Sequence, residues 1–440
     1  MSKLYNLKKA AWYSVENLTT IIFGLFTVIA VARIFGPENL GKLSMVQSIS
    51  AVAMFFVVLG LDHIVVRDLA KNPTNNSYIA TVLIMQLIGT IFHGLIIILC
   101  LYIINDGVVH TELLVICFAV FFTTYFSRAT VFKLYFQAIN EPKKIAMSAL
   151  VSRFSALIYL CFSLYFDFPY HLVICFIPIQ AFVQFVFLLS HFFKSKSDLK
   201  NFNFDKTLAR RLLIEALPLI GSSVLFPLFM EADILLISML MTEEDVGIYS
   251  AAGRLITQFV FIGHIVTMTF YLTLSSKKQN NDKDEMEFTQ GLIALLFSMA
   301  FIISLVCSVF SDEIISLLYG IKFETAGSVL SILAWKWIFI FPAALYTRIL
   351  ILDGLGKYEF IKSLVVAILS LSLNLVFIPM YGLTGAAYVS LASYFVADFI
   401  IYLGFKETRP MFYIGARSIL YFFIKPYKNI KSISYTIGCR

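Results

Sequence analysis

Long apolar runs alternate with short polar connections along the whole chain. Twelve runs of about 20 residues are each bounded by charged residues, Pro, Gly or Asn, and this length matches the hydrocarbon core of a bilayer. Each run is continuously apolar, and a helix satisfies its own backbone hydrogen bonds in lipid, so the pattern predicts transmembrane helices and not barrel strands. The predicted spans are 11–34, 43–61, 79–104, 112–136, 145–166, 170–193, 212–241, 247–274, 290–310, 326–352, 360–379 and 383–404.

The composition excludes a soluble globular protein. Apolar residues make up 60% of the 440 residues and charged residues only 14%, with a mean hydropathy of +0.86. Soluble domains carry roughly 45 to 50% apolar and about 25% charged residues. The spans and their connections leave no room for a large aqueous domain, so the fold class expected is an all-α integral membrane protein.

The distribution of Lys and Arg predicts one orientation. In the connections and at the span ends, nearly all of these residues belong to one alternate set, and only Arg33, Lys42 and Lys322 belong to the other. Positive connections stay in the cytoplasm, so both termini are expected there. The net charge of +7 therefore reflects topology, and no nucleic-acid partner is expected. The first apolar run lacks a cleavage site and is interpreted as a retained span.

A weak internal repeat divides the predicted spans into two halves. GPENLGKLS after span 1 resembles TEEDVGIYS after span 7, with Gly41 matching Gly247 and Ser44 matching Ser250. Both copies follow the first span of a six-span half, and halves of equal orientation form a parallel repeat, which is a common transporter plan. We predict an N-terminal six-helix lobe at 1–193, a basic cytoplasmic linker at 194–211 and a C-terminal six-helix lobe at 212–405.

The last segment, 406–440, interleaves Arg and Lys with Phe, Tyr and Ile. This pattern is typical of an interfacial helix on anionic lipid. We expect a basic cytoplasmic or interfacial tail there, with membrane lipids as its partner.

Five cations fall inside the predicted spans at least four residues from either end. Each costs roughly 2.5 to 3.5 kcal/mol at a helix centre, so they should face water or one another. Two of them lie near the predicted cytoplasmic ends of their spans, where the side chain could instead reach the membrane surface by snorkelling. The other three are expected to line a cationic cavity, which implies an anionic passenger. The five candidate substrate-binding residues are Arg128, Arg153, Arg254, Lys336 and Arg348, of which Arg128 and Arg348 could snorkel.

Acids and prolines inside the spans suggest coupling and gating. Glu231, Asp233 and Asp398 are candidates for proton or ion coupling. Asp233 is either an internal partner for a cation or a titrating group, and the sequence leaves both readings open. Pro218 and Pro227 interrupt the backbone hydrogen bonds of span 7, which predicts a bent or hinged gating element.

No enzyme signature is present in the sequence. It contains no nucleophile elbow, P-loop, dinucleotide fingerprint or metal-spaced His and Cys cluster, and its six cysteines form no C-x-x-C pair. We therefore expect a transporter without cofactor or metal. It would be driven by an ion gradient or by the gradient of its substrate.

Several segments resemble the polysaccharide-export branch of the multidrug/oligosaccharidyl-lipid/polysaccharide (MOP) exporter superfamily, and in particular Wzx-type O-antigen flippases. These segments are ARIFGPENLGKLS, GLDHIVVRDLAK, ALPLIGSSV with Asp233 downstream, EDVGIYSAAGRL, ILDGLGK and YGLTGAAYVS.

The resemblance implies a V-shaped pair of six-helix lobes that moves an undecaprenyl-pyrophosphate-linked sugar repeat unit to the outer face of the inner membrane. It also implies a polymerase and a chain-length regulator of the same pathway as partners. The lumenal cations of such flippases carry over to the five cations above. Glu231 beside Asp233 departs from the family pattern and leaves proton coupling in doubt.

Three alternatives are weighed against this interpretation. A drug or metabolite antiporter of the same superfamily usually carries cations and should have an acidic cavity. A lipid II flippase should have two further spans. An O-antigen polymerase or ligase is a membrane enzyme that usually works through a large outward loop, which this chain lacks.

Overall fold

A computed structural model describes residues 2–73, 75–105, 107–128, 131–195, 202–280 and 284–424. Within these ranges every regular element is a helix and none is a strand. The predicted all-α class is therefore confirmed.

Ten helices form the first part of the chain and seven the second among the described residues. The first ten are α1 Ser2–Ala53, α2 Phe55–Val58, α3 Leu61–Lys71, α4 Asn76–Ile104, α5 Thr111–Arg128, α6 Val131–Ala138, α7 Pro142–Tyr165, α8 Tyr170–Val173, α9 Phe176–Ser195 and α10 Lys206–Leu240. The others are α11 Glu243–Gln279, α12 Glu285–Val309, α13 Ser311–Tyr319, α14 Ala326–Leu333, α15 Trp337–Leu352, α16 Lys357–Asp398 and α17 Arg409–Ile424.

Two long helical runs each contain a break at glycine. Ten runs of the described chain are long and apolar enough to cross a membrane, and the longest two are Val15–Lys71 and Lys357–Leu403. Gly36 (φ 84°) interrupts the first of these and Gly382 (φ 60°) the second, and only glycine adopts such φ values without strain. Gly36 lies between the predicted spans 11–34 and 43–61, and Gly382 between 360–379 and 383–404, so each break falls where the sequence separates two spans.

The first compact unit comprises Met1–Glu231. Its helix α7 packs against α1 and α9, and α5 packs against α9. Phe132, Phe136 and Phe192 are fully buried in one apolar cluster of this unit. Because lipid surrounds the unit, large apolar side chains such as Ile158 are also exposed on its outer surface.

The second compact unit comprises Ala232–Arg440. Helix α15 packs against α11, α12 and α16. Trp337 is fully buried at the start of α15, and its indole Nε1 donates to the carbonyl of Ile256 at 2.9 Å. This bond removes the one polar group of a large core side chain from hydrocarbon.

The division between the units falls inside α10, at Glu231. The first part of this helix belongs to the first unit and the remainder to the second. Residues 196–201 of the predicted linker lie outside the described residues. The predicted lobes at 1–193 and 212–405, with a linker at 194–211, stay a prediction.

The described part of the tail is a helix that packs on the second unit. The Phe412 ring of α17 lies 4.7 Å from the ring of Phe399, and the Phe422 ring lies 5.5 Å from that of Phe297 on α12. Gly415 is buried and lies against the hydroxyl of Tyr346. Residues 425–440 of the predicted tail lie outside the described residues.

Candidate transport site

A buried polar network in the second unit surrounds Asp233. The hydroxyl of Tyr249 donates to Asp233 Oδ2 at 2.7 Å, and the amide of Asn374 donates to Oδ1 at 2.8 Å. Asp233 is 7% exposed, Tyr249 3% and Asn374 0%. Both carboxylate oxygens therefore have a donor, as a buried acid requires.

A predicted cation lies close to this network. The ammonium of Lys336 donates to the hydroxyl of Ser390 at 2.8 Å, and Ser390 lies near the Tyr249 side chain. The Lys336 Nζ also lies 4.3 Å from the ring centroid of Tyr394, at a distance suited to a cation–π interaction. Asp233 and Lys336, both singled out from the sequence, thus lie in the same region of the second unit.

The break at Gly382 brings two arms of α16 to this network. Asn374 and Ser390 stand eight residues before and after Gly382, which corresponds to about 12 Å along each helical arm. The two arms fold back on each other, because a Cβ on Gly385 would touch the backbone carbonyl of Phe377, and this brings Asn374 and Ser390 closer together. A straight helix would place them about 24 Å apart.

Arg153 has helix-holding partners in the first unit. It is 8% exposed on α7. Its Nη1 donates to the carbonyl of Glu16 at 3.2 Å and to the hydroxyl of Thr19 at 2.5 Å, and its Nη2 donates to the hydroxyl of Thr20. The guanidinium thus ties α7 to one turn of α1. Lys133 adds an ion pair of 2.7 Å to the Glu16 carboxylate.

The other three predicted cations lie on separate helices. Arg254 on α11 is half-buried, within electrostatic reach of the buried Tyr319 hydroxyl. Arg348 on α15 is half-buried, and its guanidinium carbon lies 5.9 Å from the ring centroid of Tyr271. Arg128 is the last residue of α5, and its side chain lies outside the described part of the structure.

The remaining predicted acids have their own partners. Glu231 accepts a hydrogen bond of 2.6 Å from Ser48 in the first unit. Asp398 is buried and accepts from Lys362 at 3.2 Å, and Glu359 pairs with the same lysine at 2.9 Å. Neither bond involves Asp233 or its partners Tyr249 and Asn374.

Both prolines predicted to form a gate lie within α10, between its two anchored ends. Pro218 and Pro227 follow the start of the helix and precede Asp233. The start of the helix is held in the first unit, where Arg211 donates to Asp68 at 2.7 Å and Arg67 pairs with Glu215 at 2.7 Å.

The first turn of α10 is capped by Asp205. The hydroxyl of Thr207 and the backbone N–H of Leu208 donate to this carboxylate, and they hold its pKa below the usual value. The backbone N–H of Asp205 in turn donates to the hydroxyl of Thr81 on α4 at 2.9 Å. The helix therefore starts at a defined place on the first unit.

Sequence reasoning missed the neutral members of the network. Tyr249, Asn374 and Ser390 are ordinary residue types of apolar helices, and no spacing connects them. The segment EDVGIYS, which carries Tyr249, was singled out only for its repeat and its resemblance. Within the described ranges, no group of three or more His, Cys, Asp and Glu side chains could hold a metal ion.

A family model described as polysaccharide biosynthesis protein matches residues 6–262. This is more than half of the chain. The chain belongs to this family. The resemblance to the polysaccharide-export branch of the MOP superfamily is thereby confirmed.

Two relatives agree with the family. The capsular polysaccharide biosynthesis protein CapF of Staphylococcus aureus is 22% identical over 408 residues, covering 91% of this chain and 99% of that protein. The probable low-salt glycan biosynthesis flippase Agl15 of Haloferax volcanii is 25% identical over 170 residues, covering 37% of this chain and 35% of that protein.

Solved structures show the same fold. The lipid II flippase MurJ in an inward closed conformation aligns with a TM-score of 0.68 at 15% identity, over 97% of this chain and 98% of that one. An inward-facing multidrug resistance MATE transporter of the MOP superfamily aligns with a TM-score of 0.64 at 15% identity, over 93% of this chain and 99% of that one. The fold is therefore the two-lobe α-helical fold of these membrane transporters.

Proposed function

We propose that this protein is a flippase for an undecaprenyl-pyrophosphate-linked oligosaccharide, an O-antigen or related polysaccharide repeat unit. It moves this passenger across the bacterial inner membrane by alternating access, with both termini in the cytoplasm. The observation that carries the proposal is the presence of half-buried cations on membrane helices of a polysaccharide biosynthesis family member. These are Arg254, Lys336 and Arg348.

The charge of the passenger follows from these residues. Guanidinium groups offer paired donors that match the oxygens of a diphosphate, and a desolvated ammonium adds a point charge. A cationic drug would be repelled by the same residues. The polyprenyl tail would stay in lipid, so the protein needs to accommodate only the diphosphate and the sugars.

Arg128 and Arg153 have less support as diphosphate-binding residues than the other three cations. The partners of Arg153 on α1 fit a helix-holding role better than a diphosphate-binding role, because three of its contacts are already made within the first unit. Arg128 stays a prediction.

Asp233 is proposed as the coupling acid. It is a buried carboxylate with donors from Tyr249 and Asn374, in the same region as Lys336 and its partner Ser390, whereas Glu231 and Asp398 are bound to partners elsewhere. Bending of α10 at Pro218 and Pro227 would supply the gate, since its cytoplasmic start is held by Asp68 and its other end carries Asp233.

The proposed passenger implies partners in the same membrane. A polymerase and a chain-length regulator would take the repeat units after transfer, and anionic lipids would contact the basic connections.

The test is complementation in cells from which the gene is deleted. We expect loss of surface polysaccharide and accumulation of the lipid-linked repeat unit on the cytoplasmic leaflet, both restored by the wild-type gene. Arg254→Ala and Lys336→Ala should fail to restore export at a normal membrane level of protein. Arg210→Ala, which removes an exposed cytoplasmic charge, is the matched control.

Two results would contradict the proposal. Normal surface polysaccharide in the deletion strain would exclude a required flippase. Deletion that leaves the lipid-linked repeat unit correctly distributed but raises the accumulation of cationic dyes would favour the drug antiporter.

A further inference from the structure

We propose that Arg348, His264 and Tyr271 form a loading site that captures the diphosphate of the passenger in the cytoplasmic leaflet before it reaches Lys336. The inference rests on the proposed function and deepens it, because it gives the cations of the second unit an order of use. The ligand chemistry is the phosphate of a membrane lipid. We assign it to the lipid-linked repeat unit and not to a bulk phospholipid.

Helices α11 and α15 run side by side in the second unit. The indole of Trp337 donates to the carbonyl of Ile256 at 2.9 Å, and a Cβ on Gly263 would lie 3.1 Å from the α15 backbone. Further along both helices, Lys278 binds Asp353, the residue after α15, at 2.7 Å. These contacts advance in the same order on both helices, so the two are parallel neighbours in a fixed register.

A polar stripe on α11 lies beside Arg348. His264, Thr267 and Tyr271 are spaced i, i+3 and i+7, so they share one face of the helix. The Arg348 guanidinium carbon lies 5.9 Å from the ring centroid of Tyr271, and His264 lies near the same guanidinium. Thr267 is 1% exposed, and its hydroxyl has no hydrogen-bond partner among the described residues.

The donors of this cluster are not used by the described part of the chain. No hydrogen bond or ion pair joins Arg348, His264 or Tyr271 to another described residue. The acids that follow in the sequence, Asp353 and Glu359, each pair with a lysine, at 2.7 and 2.9 Å. A guanidinium carries five N–H donors, and removing them from water without acceptors is costly. The arrangement fits an anion that comes from outside the chain.

Arg348 and Lys336 lie at different depths. The helical run Ala326–Leu352 has 27 residues, and Arg348 stands four residues before its end, which is about 6 Å. Lys336 stands twelve residues earlier, about 18 Å further in. The headgroup layer is roughly 5 to 7 Å thick on each side of the hydrocarbon. In the proposed orientation, a diphosphate in the cytoplasmic leaflet therefore meets Arg348 first, while its tail remains in lipid.

The three side chains suit a diphosphate with a sugar attached. The guanidinium can bind phosphate oxygens in a bidentate manner. His264 and Tyr271 stand seven residues apart on α11, which separates them by about 10 Å. The site is thus longer than one phosphate and reaches a second phosphate or the first sugar. A phospholipid with a single phosphate would leave one end of the site unused.

The first experiment measures the affinity of the full-length protein for undecaprenyl pyrophosphate in phosphatidylcholine nanodiscs. Arg348→Ala should weaken binding by at least about tenfold, the usual effect of losing hydrogen bonds to a charged group. Lys336→Ala should retain most of the affinity, because the diphosphate still loads. Lys357→Ala is the matched control, since it removes an exposed cation just beyond the same end of α15 and should bind like the wild type.

The second experiment tests the order of use in cells. A photo-crosslinking amino acid, p-benzoylphenylalanine, is placed at Tyr271 to capture the lipid-linked repeat unit. Combination with Lys336→Ala should increase the captured amount, because the passenger loads and does not advance. Combination with Arg348→Ala should abolish capture. The same amino acid at Tyr413, which is 58% exposed on α17, is the control and should capture no more in either background.

Protein stability separates a loading site from a structural role. Arg348→Ala removes no hydrogen bond to a described residue, so its unfolding midpoint in detergent should be at least that of the wild type. A lower midpoint together with unchanged affinity would assign Arg348 to the structure and overturn the proposal. Arg348→Gln keeps most of the side-chain length without the charge, and it repeats the affinity test if the alanine variant folds poorly.

The outcomes distinguish this inference from the proposed function. If the wild type binds undecaprenyl pyrophosphate and Arg348→Ala binds it equally well, the loading site is wrong and the passenger stands. If Arg348→Ala loses affinity only for added phosphatidylglycerol, the site belongs to a bulk phospholipid, which also overturns the proposal. If the wild type does not bind undecaprenyl pyrophosphate, the proposed passenger is refuted and the loading site with it.

Discussion

Asp68 on α3 accepts a hydrogen bond of 2.7 Å from Arg211 near the start of α10. The same carboxylate also pairs with Arg67 and accepts from the hydroxyl of Tyr78 at 3.3 Å. Three donors from three helices thus converge on one acid whose side chain is 15% exposed. This arrangement explains structurally why GLDHIVVRDLAK, a segment that carried the family resemblance, contains an Arg-Asp pair.

Asp68→Ala should lower the thermal stability of the purified protein. Three donors lose their acceptor, and because Arg67 and Arg211 are about half exposed we expect a modest cost, about 1 to 2 kcal/mol. The measurement is the unfolding midpoint in detergent at low and high salt, and the loss should shrink at high salt. Arg210→Ala is the control. A midpoint equal to that of the wild type would show that this cluster does not hold α10.

Asp205→Ala should destabilise the start of α10 at neutral pH. The folded state holds the pKa of Asp205 below its usual value through Thr207 and Leu208. Its contribution is therefore present above the unfolded pKa, which is about 3.9, and is lost as the pH falls through the folded pKa.

The unfolding midpoint of Asp205→Ala should thus lie below that of the wild type at pH 7, and the two should converge in acid. Asp205→Asn keeps an oxygen acceptor for the cap and should fall between them. A difference that persists unchanged in acid would mean that the charge of the carboxylate plays no part.

Gly382→Ala should destabilise the protein through its backbone. The glycine has φ 60° and ψ −140°, and such a conformation costs a residue with a side chain of order 1 to 3 kcal/mol. A Cβ there would meet only the Met241 methyl, at 3.7 Å, so strain and not a clash is the cause. Because the break sets Asn374 beside Asp233, export should fall as well.

Gly253→Ala is the matched control for this substitution. Gly253 lies within α11, and a Cβ there would meet nothing within 4 Å. Alanine is the better helix former by roughly 1 kcal/mol, so this variant should be as stable as the wild type or more stable. Equal stability of Gly382→Ala and Gly253→Ala would contradict the importance of the break.

Much of the fold was predictable because lipid imposes a simple rule. Each crossing needs a long apolar helix, so the runs in the sequence predicted twelve spans. The breaks at Gly36 and Gly382 were not predicted as such, because both glycines lie at the ends of apolar runs where a polar turn was expected. Backbone conformation at one residue leaves no periodic signal.

The candidate site was predictable only at its charged ends. Asp233 and Lys336 stand out because a charge in hydrocarbon is costly. Tyr249 and Ser390 do not, since a tyrosine or a serine is common in any membrane helix and its partner lies far away in the sequence. Arg153, in contrast, stands out in the sequence although its contacts do not. Its cost in lipid was evident from the sequence, but its partners Thr19 and Thr20 on α1 were not.

Arg153→Ala should reduce the amount of folded protein in the membrane and not export per molecule. The guanidinium holds one turn of α1 through three acceptors, and its removal leaves the Thr19 and Thr20 hydroxyls and the Glu16 carbonyl without this donor. Arg153→Lys should recover little, since an ammonium on a single carbon chain cannot reproduce the fork. The measurement is membrane level and surface polysaccharide in the same cells. Normal protein level with lost polysaccharide would instead return Arg153 to the passenger site.

The end of α17 should be shielded by the membrane. Its Phe422 and Phe423 rings lie 5.0 and 5.3 Å from the ring of Phe301, sixteen residues into α12 and thus about 24 Å from the start of that helix. The helix therefore follows α12 well beyond the depth of an interfacial tail.

In a protein without native cysteines, Phe423→Cys should react with a lipid-soluble maleimide and resist a membrane-impermeant one. Glu407→Cys, at an exposed position before the helix, should react with both in inside-out vesicles. Rapid reaction of Phe423→Cys with the impermeant reagent in those vesicles would place α17 on the cytoplasmic surface, as the basic and aromatic pattern of 406–440 suggests.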